Sequence, residues 1–68
     1  MTIEMRHLRY VIAAAEHGSF RRAAEVLNVE QSAVSRRIRD LEDEIGAALF
    51  IRHHGGVLLT GAGEHFLV

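Results

Sequence analysis

The chain has 68 residues, enough for one small domain, and a formal net charge of −1. It contains no cysteine, which excludes disulfides and thiolate metal sites. Its longest apolar runs, such as "YVIAAA" at 10–15, are far shorter than a membrane-spanning helix, and nothing resembles a signal peptide. We therefore expect a cytoplasmic protein that makes no use of a membrane.

The charges are distributed unevenly along the chain. All eight basic side chains are arginine. Residues 6–39 hold seven of them against three acids, whereas residues 40–44 hold four acids and no base. Because binding depends on where charge lies on the surface, the low net charge does not exclude a nucleic acid as a partner.

A first helix is predicted over residues 3–17. Its apolar side chains recur at helical spacing and form one stripe, which we expect to be buried: Met5, Leu8, Ile12 and Ala15, with Val11 beside them. Gly18 follows, at a place where a helix often ends.

A second, shorter helix is predicted after Ser19, whose hydroxyl can accept a hydrogen bond from an N–H group of the first turn. We expect small and apolar residues on its inward face: Phe20, Ala23, Ala24 and Leu27. The helix should end near Leu27 or Asn28, because asparagine tolerates the left-handed conformation that a tight turn needs.

A third helix is predicted from Glu30 or Gln31 to Ile45, with Gly46 as its stop. Its apolar residues are spaced 4, 3 and 4 apart and form the buried stripe: Val34, Ile38, Leu41 and Ile45. The opposite face is polar and holds Ser32, Arg36, Arg39 and Asp43, with Gln31 and Ser35 on one flank.

Residues 48–60 predict a β-hairpin. Two short apolar runs, "ALFIR" and "VLLT", are separated by "HHGG". Thr60 can then cap a fourth helix that starts in "GAGEHFLV". Because this helix would end on exposed apolar residues, we expect the natural protein to continue beyond Val68.

The second and third helices, joined by a tight turn, form a helix-turn-helix unit. The second helix of such a unit can enter the major groove of DNA with its N-terminal residues at the base edges. In this chain those residues are Gln31, Ser32, Ala33, Ser35 and Arg36. Glutamine can pair with adenine and arginine with guanine, so these residue types suit base contacts.

Contacts to the DNA backbone are expected from the first turn of the second helix, which should cross the phosphates. Arg21 and Arg22 lie there, and Ser19 could both cap the helix and bind a phosphate. Arg39 is a further candidate on the third helix. The alternative is a solvated helix face with three ion pairs: Arg36–Asp40, Arg39–Asp43 and Arg39–Glu42.

Four motifs combine into a specific pattern: "GSFRRAA" at 18–24, "L-x-V-x-Q-x-A-V-S-R-x-I" at 27–38, "LE-x-E-x-G-x-x-LF-x-R" at 41–52 and "LT-x-AG" at 59–63. Together they resemble the N-terminal domain of LysR-type transcriptional regulators. The resemblance implies a mainly α, winged helix-turn-helix fold with a three-helix core, a two-stranded β wing and the start of a fourth helix. Residues 1–60 would form the DNA-binding domain, and residues 61–68 would start a linker helix.

The resemblance also implies the partners. These are double-stranded DNA, a second copy of the chain joined through the linker helix, and a small-molecule effector bound by a C-terminal domain outside these residues. No metal, other cofactor or catalytic activity is expected. By position, Gln31, Ser35 and Arg36 match the family's base- and phosphate-contacting residues, and Arg52 matches its wing-base arginine.

The chain departs from the family pattern at three places. Glu30 stands where the family usually has a Ser or Thr cap, and Ser32 stands where proline is usual. The wing stretch "HHGGVLL" carries no permanent charge, and His53 and His54 lack a third nearby ligand for a metal. A second hypothesis therefore stays open, namely a winged-helix module that binds another protein and does not bind DNA.

Overall fold

The structure is a computed structural model that describes residues 5–67. Along the chain it contains α1 (Met5–His17), α2 (Phe20–Leu27), α3 (Gln31–Ile45), β1 (Phe50–His53), β2 (Gly56–Leu59) and α4 (Gly61–Leu67). The predicted mainly α, winged helix-turn-helix fold is confirmed. Residues 3 and 4, which the sequence assigns to the first helix, lie outside the described residues.

Local backbone features end the helices where the sequence predicts. The Ser19 hydroxyl oxygen accepts a hydrogen bond from the Arg22 N–H at 3.1 Å and caps α2. Asn28 ends that helix in the left-handed conformation, with φ 58° and ψ 47°, and Gly46 ends α3 with φ 79°. The turn between α2 and α3 is therefore tight, as a helix-turn-helix unit requires.

The core lies where α1, α2, α3 and the hairpin meet. Its buried apolar residues come from all of these elements and from the segment before β1: Val11, Ala13, Ala14, Phe20, Ala23, Ala24, Val34, Ile38, Leu41, Leu49, Phe50 and Val57. Two of the three buried residues in α1 and two of the three in α2 are alanines, so these two helices can approach closely. The predicted inward faces of α2 and α3 are confirmed, with Leu27 and Ile45 partly buried at their edges.

The predicted buried stripe of α1 is wrong at Met5 and Ile12 and right at Val11, while Leu8 and Ala15 are half-buried. Met5 is 73% exposed and Ile12 is 44% exposed, whereas Val11 and Ala14 are fully buried. The segment around Ile12 is apolar on most sides, so helical spacing alone did not fix which face turns inward. The face that turns inward carries Val11, Ala13 and Ala14, and the two alanines on it leave room for a neighbouring helix to pack closely.

The hairpin is antiparallel, and its register divides the wing into two faces. Phe50 pairs with Leu59 and Arg52 with Val57, and these four residues share the face that turns toward the core. Ile51 pairs with Leu58 on the other face, where both are more than half exposed. Arg52 therefore projects on the side of the wing that meets the helices.

Replacing Ile38 with alanine should lower the free energy of unfolding by about 2–5 kcal/mol, because Ile38 is 2% exposed and its loss leaves a cavity. Ile12→Ala is the matched control. It removes the same atoms from an exposed site and raises helix propensity, so it should cost less than about 1 kcal/mol. Thermal and urea unfolding measure both variants. Equal costs would show that the faces of α1 or α3 are misassigned.

Candidate nucleic-acid interface

The first two turns of α3 carry the four residues that the sequence proposes for base contacts. Gln31, Ser32 and Arg36 are exposed, and Ser35 is half-buried. Glu30 precedes them at the N-cap position with φ −72° and ψ 145°, and its side chain makes no capping hydrogen bond. The start of α3 is therefore open to solvent and capped by no side chain.

Arg36 and Arg39 lie on the exposed face of α3 without the ion pairs that the sequence suggests. Although all five residues concerned fall inside the described range, none of the pairs Arg36–Asp40, Arg39–Asp43 and Arg39–Glu42 forms. Exposed ion pairs of this kind contribute little to stability. The carboxylate of Glu42 instead accepts a backbone hydrogen bond from Leu49. Both guanidinium groups thus remain available to an external anion.

The first turn of α2 carries two exposed arginines, Arg21 and Arg22. The Arg21 guanidinium is 3.8 Å from the Glu25 carboxylate, with the two side chains 71% and 65% exposed. Such a solvated pair can exchange its partner for a phosphate at little cost. Ser19 is already engaged as the cap of α2, so its hydroxyl has a structural role whether or not it also contacts DNA.

Arg52 connects the wing to α2. Its guanidinium carbon lies 5.0 Å from the centre of the Phe20 ring, within the range of a cation–π interaction. The Phe20 ring in turn meets Phe50 edge to face, with 5.4 Å between ring centres and an interplanar angle of 84°. This contact fixes the direction in which Arg52 leaves the wing.

A cleft of about 220 Å³ forms between the start of α2, the start of α3 and the wing. Its lining includes four of the nine predicted contact residues, Ser19, Arg21, Gln31 and Arg52. His53 of the wing lines it as well. Two guanidinium groups, an amide and a hydroxyl around one opening suit an anion such as a backbone phosphate. The other five candidates do not line it: Arg22, Ser32, Ser35, Arg36 and Arg39.

The wing is attached to the turn between α1 and α2 by a close backbone contact. The Val57 N–H donates a hydrogen bond to the Gly18 carbonyl oxygen at 2.9 Å. Gly56 has φ 141°, and a Cβ atom placed there would overlap that same oxygen. Only glycine fits this position, so Gly56 sets how near the wing comes to α2.

Sequence reasoning missed Glu42 as well as Gly56. One oxygen of the Glu42 carboxylate accepts hydrogen bonds from the backbone N–H groups of Leu49 at 2.7 Å and Phe50 at 3.3 Å. The available signal was its position in the last turns of α3, where an acid is unfavourable for the helix dipole and needs another partner.

A comparison with known families decides the relationship. Residues 5–64 match the model of the bacterial regulatory helix-turn-helix proteins of the lysR family. The chain belongs to the LysR family. Similarity to curated relatives extends over nearly the whole chain, which we refer to as the LysR domain.

Two curated relatives come from Escherichia coli (strain K12). The uncharacterized HTH-type transcriptional regulator YnfL is 52% identical over 67 residues, which cover 98% of this chain and 23% of that protein. The Hca operon transcriptional activator HcaR is 49% identical, covering 96% of this chain and 22% of its own length. The LysR domain thus spans less than a quarter of the length of these two relatives.

Solved structures show the same fold. The DNA-binding domain of CbnR in complex with DNA is 43% identical with a TM-score of 0.91, and the match covers 96% of this chain and 75% of that one. Vibrio fischeri DarR in complex with DNA is 42% identical with a TM-score of 0.91, covering 98% of this chain and 23% of that one. The LysR domain therefore resembles proteins whose structures contain DNA.

Two further properties of the LysR domain concern residues 5–67. No helix in that range has the length and apolar character needed to cross a membrane. Within the same range, no three histidine or acidic side chains come together as a metal site, and His53 instead accepts a hydrogen bond from the Gly55 N–H at 3.2 Å.

Gly56→Ala should destabilise the LysR domain by about 1–3 kcal/mol, because the added methyl group overlaps the Gly18 carbonyl and forces the wing outward. Gly55→Ala in the same turn is the control. Its Cβ would meet only the His53 side chain at 3.4 Å, so its stability should change by less than about 0.5 kcal/mol. Calorimetry of both variants tests the close approach, and equal melting temperatures would contradict it.

Proposed function

We propose that this LysR-family domain binds double-stranded DNA sequence-specifically by inserting α3 in the major groove. The observation that carries the proposal is the arrangement of the start of α3, the start of α2 and the wing around one cleft that bears Arg21, Gln31 and Arg52. The DNA complexes of CbnR and DarR, at 42–43% identity, support it. Gln31, Ser32 and Arg36 are exposed at the start of α3, as entry into a groove requires.

Sequence would be read by the exposed side of the first two turns of α3. The proposed base contacts are Gln31, Ser32, Ser35 and Arg36. Arg36 has the fork that matches guanine, and Gln31 has the amide that matches adenine. Because Ser35 is half-buried, it would reach the bases only where the helix backbone itself lies close to the groove floor.

Position on the duplex would be set by the phosphates. The proposed backbone contacts come from α2, α3 and the wing: Ser19, Arg21, Arg22, Arg39 and Arg52. Phosphate contacts carry most of the affinity and little of the sequence information, so these residues would fix register while α3 discriminates between sites.

We also propose the setting of the domain in the whole protein. Residues 1–60 form the DNA-binding domain, and residues 61–68 begin a linker helix through which two copies associate. A small-molecule effector would bind elsewhere in the regulator. The protein would regulate transcription in the bacterial cytoplasm and catalyse no reaction. A dimer would place its two α3 helices on half-sites about one helical turn, or a multiple of it, apart.

The remaining rival is a winged-helix module that binds a protein partner. The lack of permanent charge in the wing stretch 53–59 and the net charge of −1 favour it. The salt dependence of DNA binding separates the two hypotheses, because displaced counterions give a steep, linear loss of affinity with increasing salt only when phosphates are contacted.

Arg36→Ala should weaken binding to the preferred duplex by about 1–3 kcal/mol and relax its preference at one base pair. The preferred duplex is first selected from a random library, and affinities are then measured by fluorescence anisotropy at several salt concentrations. Arg9→Ala is the control, since it removes the same charge from an exposed site on α1. If Arg36→Ala has the same sequence preference as Arg9→Ala at every base pair, Arg36 does not contact bases specifically.

Binding should be tighter at pH 6 than at pH 8, because the wing holds two exposed histidines and no arginine beyond Arg52. Histidine ordinarily gains its positive charge as the pH falls through about 6.5, and a cation near a phosphate favours the bound state. At matched ionic strength, a His53→Ala/His54→Ala variant should lose the pH dependence, and retention of it would exclude the wing as its source.

A further inference from the structure

We propose that Glu42 is a positioning residue that holds the wing, and with it Arg52, in a fixed place relative to α3. This inference rests on the proposed DNA-binding function. It concerns a residue near the C-terminal end of α3, whereas the proposed base contacts lie in its first two turns. Glu42 would act on DNA recognition through the wing and would not touch DNA itself.

The geometry at the base of the wing carries the proposal. One oxygen of the half-buried Glu42 carboxylate accepts hydrogen bonds from the N–H groups of Leu49 at 2.7 Å and Phe50 at 3.3 Å. These residues lie at the point where the chain enters β1. Because one acceptor oxygen holds two successive N–H groups, this contact can fix the start of the strand.

The same peptide segment is held from its other side by Thr60. The Leu49 carbonyl oxygen accepts a hydrogen bond from the Thr60 N–H at 2.9 Å, and the Ala48 carbonyl accepts one from the Thr60 hydroxyl at 2.6 Å. The Leu49 side chain is fully buried. Leu49 is therefore fixed through its N–H, its carbonyl and its side chain, and only the N–H bond comes from α3.

A short series of contacts leads from this point to Arg52. Phe50, whose N–H faces Glu42, presses its ring edge to face against Phe20. The guanidinium of Arg52 lies over that same Phe20 ring. A shift at the start of β1 would therefore move Arg52, which is two residues along the strand, away from the cleft.

The three acids at the end of α3 differ in this respect. Glu42 contacts the backbone of the wing, whereas Asp43 and Glu44 are exposed. All three are disfavoured by the helix dipole at that end, so charge alone does not distinguish them. Position distinguishes them, because among these three acids only Glu42 has its carboxylate within hydrogen-bond distance of the Leu49 and Phe50 N–H groups. The chain length of residue 42 should therefore matter more than its charge.

Two substitutions separate length from charge. Glu42→Gln keeps an oxygen at the same reach and removes the charge, whereas Glu42→Asp keeps the charge and shortens the side chain by one methylene. Glu44→Gln controls for the loss of one exposed negative charge. Amide hydrogen exchange in the chain without DNA should show Leu49 and Phe50 protected in wild type and Glu42→Gln. In Glu42→Asp these two amides should exchange about tenfold faster or more.

DNA binding is then measured across a salt series with the selected duplex. Loss of one phosphate contact reduces the slope of log affinity against log salt by about 0.9. We expect this reduction for Glu42→Asp and for Arg52→Ala, and no further reduction when the two are combined. Glu42→Gln should retain the slope of Glu44→Gln. A residue that only stabilised the fold would change the melting temperature and leave the slope of the folded variants unchanged.

The outcomes separate the two proposals. If the wild-type chain shows no salt-dependent binding to any selected duplex, the proposed function fails, while hydrogen exchange still reports on Glu42. If wild type binds and Glu42→Asp keeps the wild-type slope, the positioning role is overturned. Additive losses in the double variant would overturn it as well. Should Glu42→Asp fail to fold, Glu42→Gln decides, because a slope below that of Glu44→Gln contradicts the proposal.

Discussion

The packing of the wing on Phe20 is the interaction on which the proposed interface depends. Phe20 is the first residue of α2, and its ring is contacted on its face by Arg52 and at close range by the ring of Phe50. A two-stranded hairpin is marginal by itself in water and needs such a surface. One buried ring thus serves the core and also directs a cation toward the cleft. The Gly18–Gly56 contact allows the wing to come close enough for this.

The opposition between the basic and acidic parts of the chain has a structural explanation. The exposed surface carries Arg21 and Arg22 of α2, Arg36 and Arg39 of α3, and Arg52 of the wing. The acids follow at the far end of α3, and one of them, Glu42, turns inward to the backbone of the wing. Because these acids do not pair with Arg36 or Arg39, they do not neutralise the face proposed to meet DNA. The net charge of −1 therefore says little about how this surface behaves.

The features that the sequence could predict are those set by local chemistry. Ser19, Asn28 and Gly46 act within one turn of the chain, so the ends of α2 and α3 follow from residue type alone. Which face of α1 is buried depends on how closely another helix approaches. Val11 and Ile12 are both apolar, so residue type does not show which of them faces the core. The roles of Glu42 and Gly56 depend on partners seven and 38 positions away in sequence, Leu49 and Gly18. The spacing of apolar and polar residues along the chain does not show that these pairs, which are far apart in sequence, come into contact.

Glu30 shows how a residue that is poor for the isolated helix can suit the proposed complex. A serine at this N-cap would stabilise α3 by about 1 kcal/mol through a side-chain bond that Glu30 does not make. The absence of that bond leaves the start of α3 without a side-chain acceptor, at the end proposed to enter the groove. The N–H groups of Ala33 and Val34 donate to the Glu30 carbonyl oxygen, so those of Gln31 and Ser32 are the ones left for acceptors on DNA in the proposed complex. The Glu30 carboxylate opposes phosphate at the same position, which favours acceptors on the bases over those on the backbone.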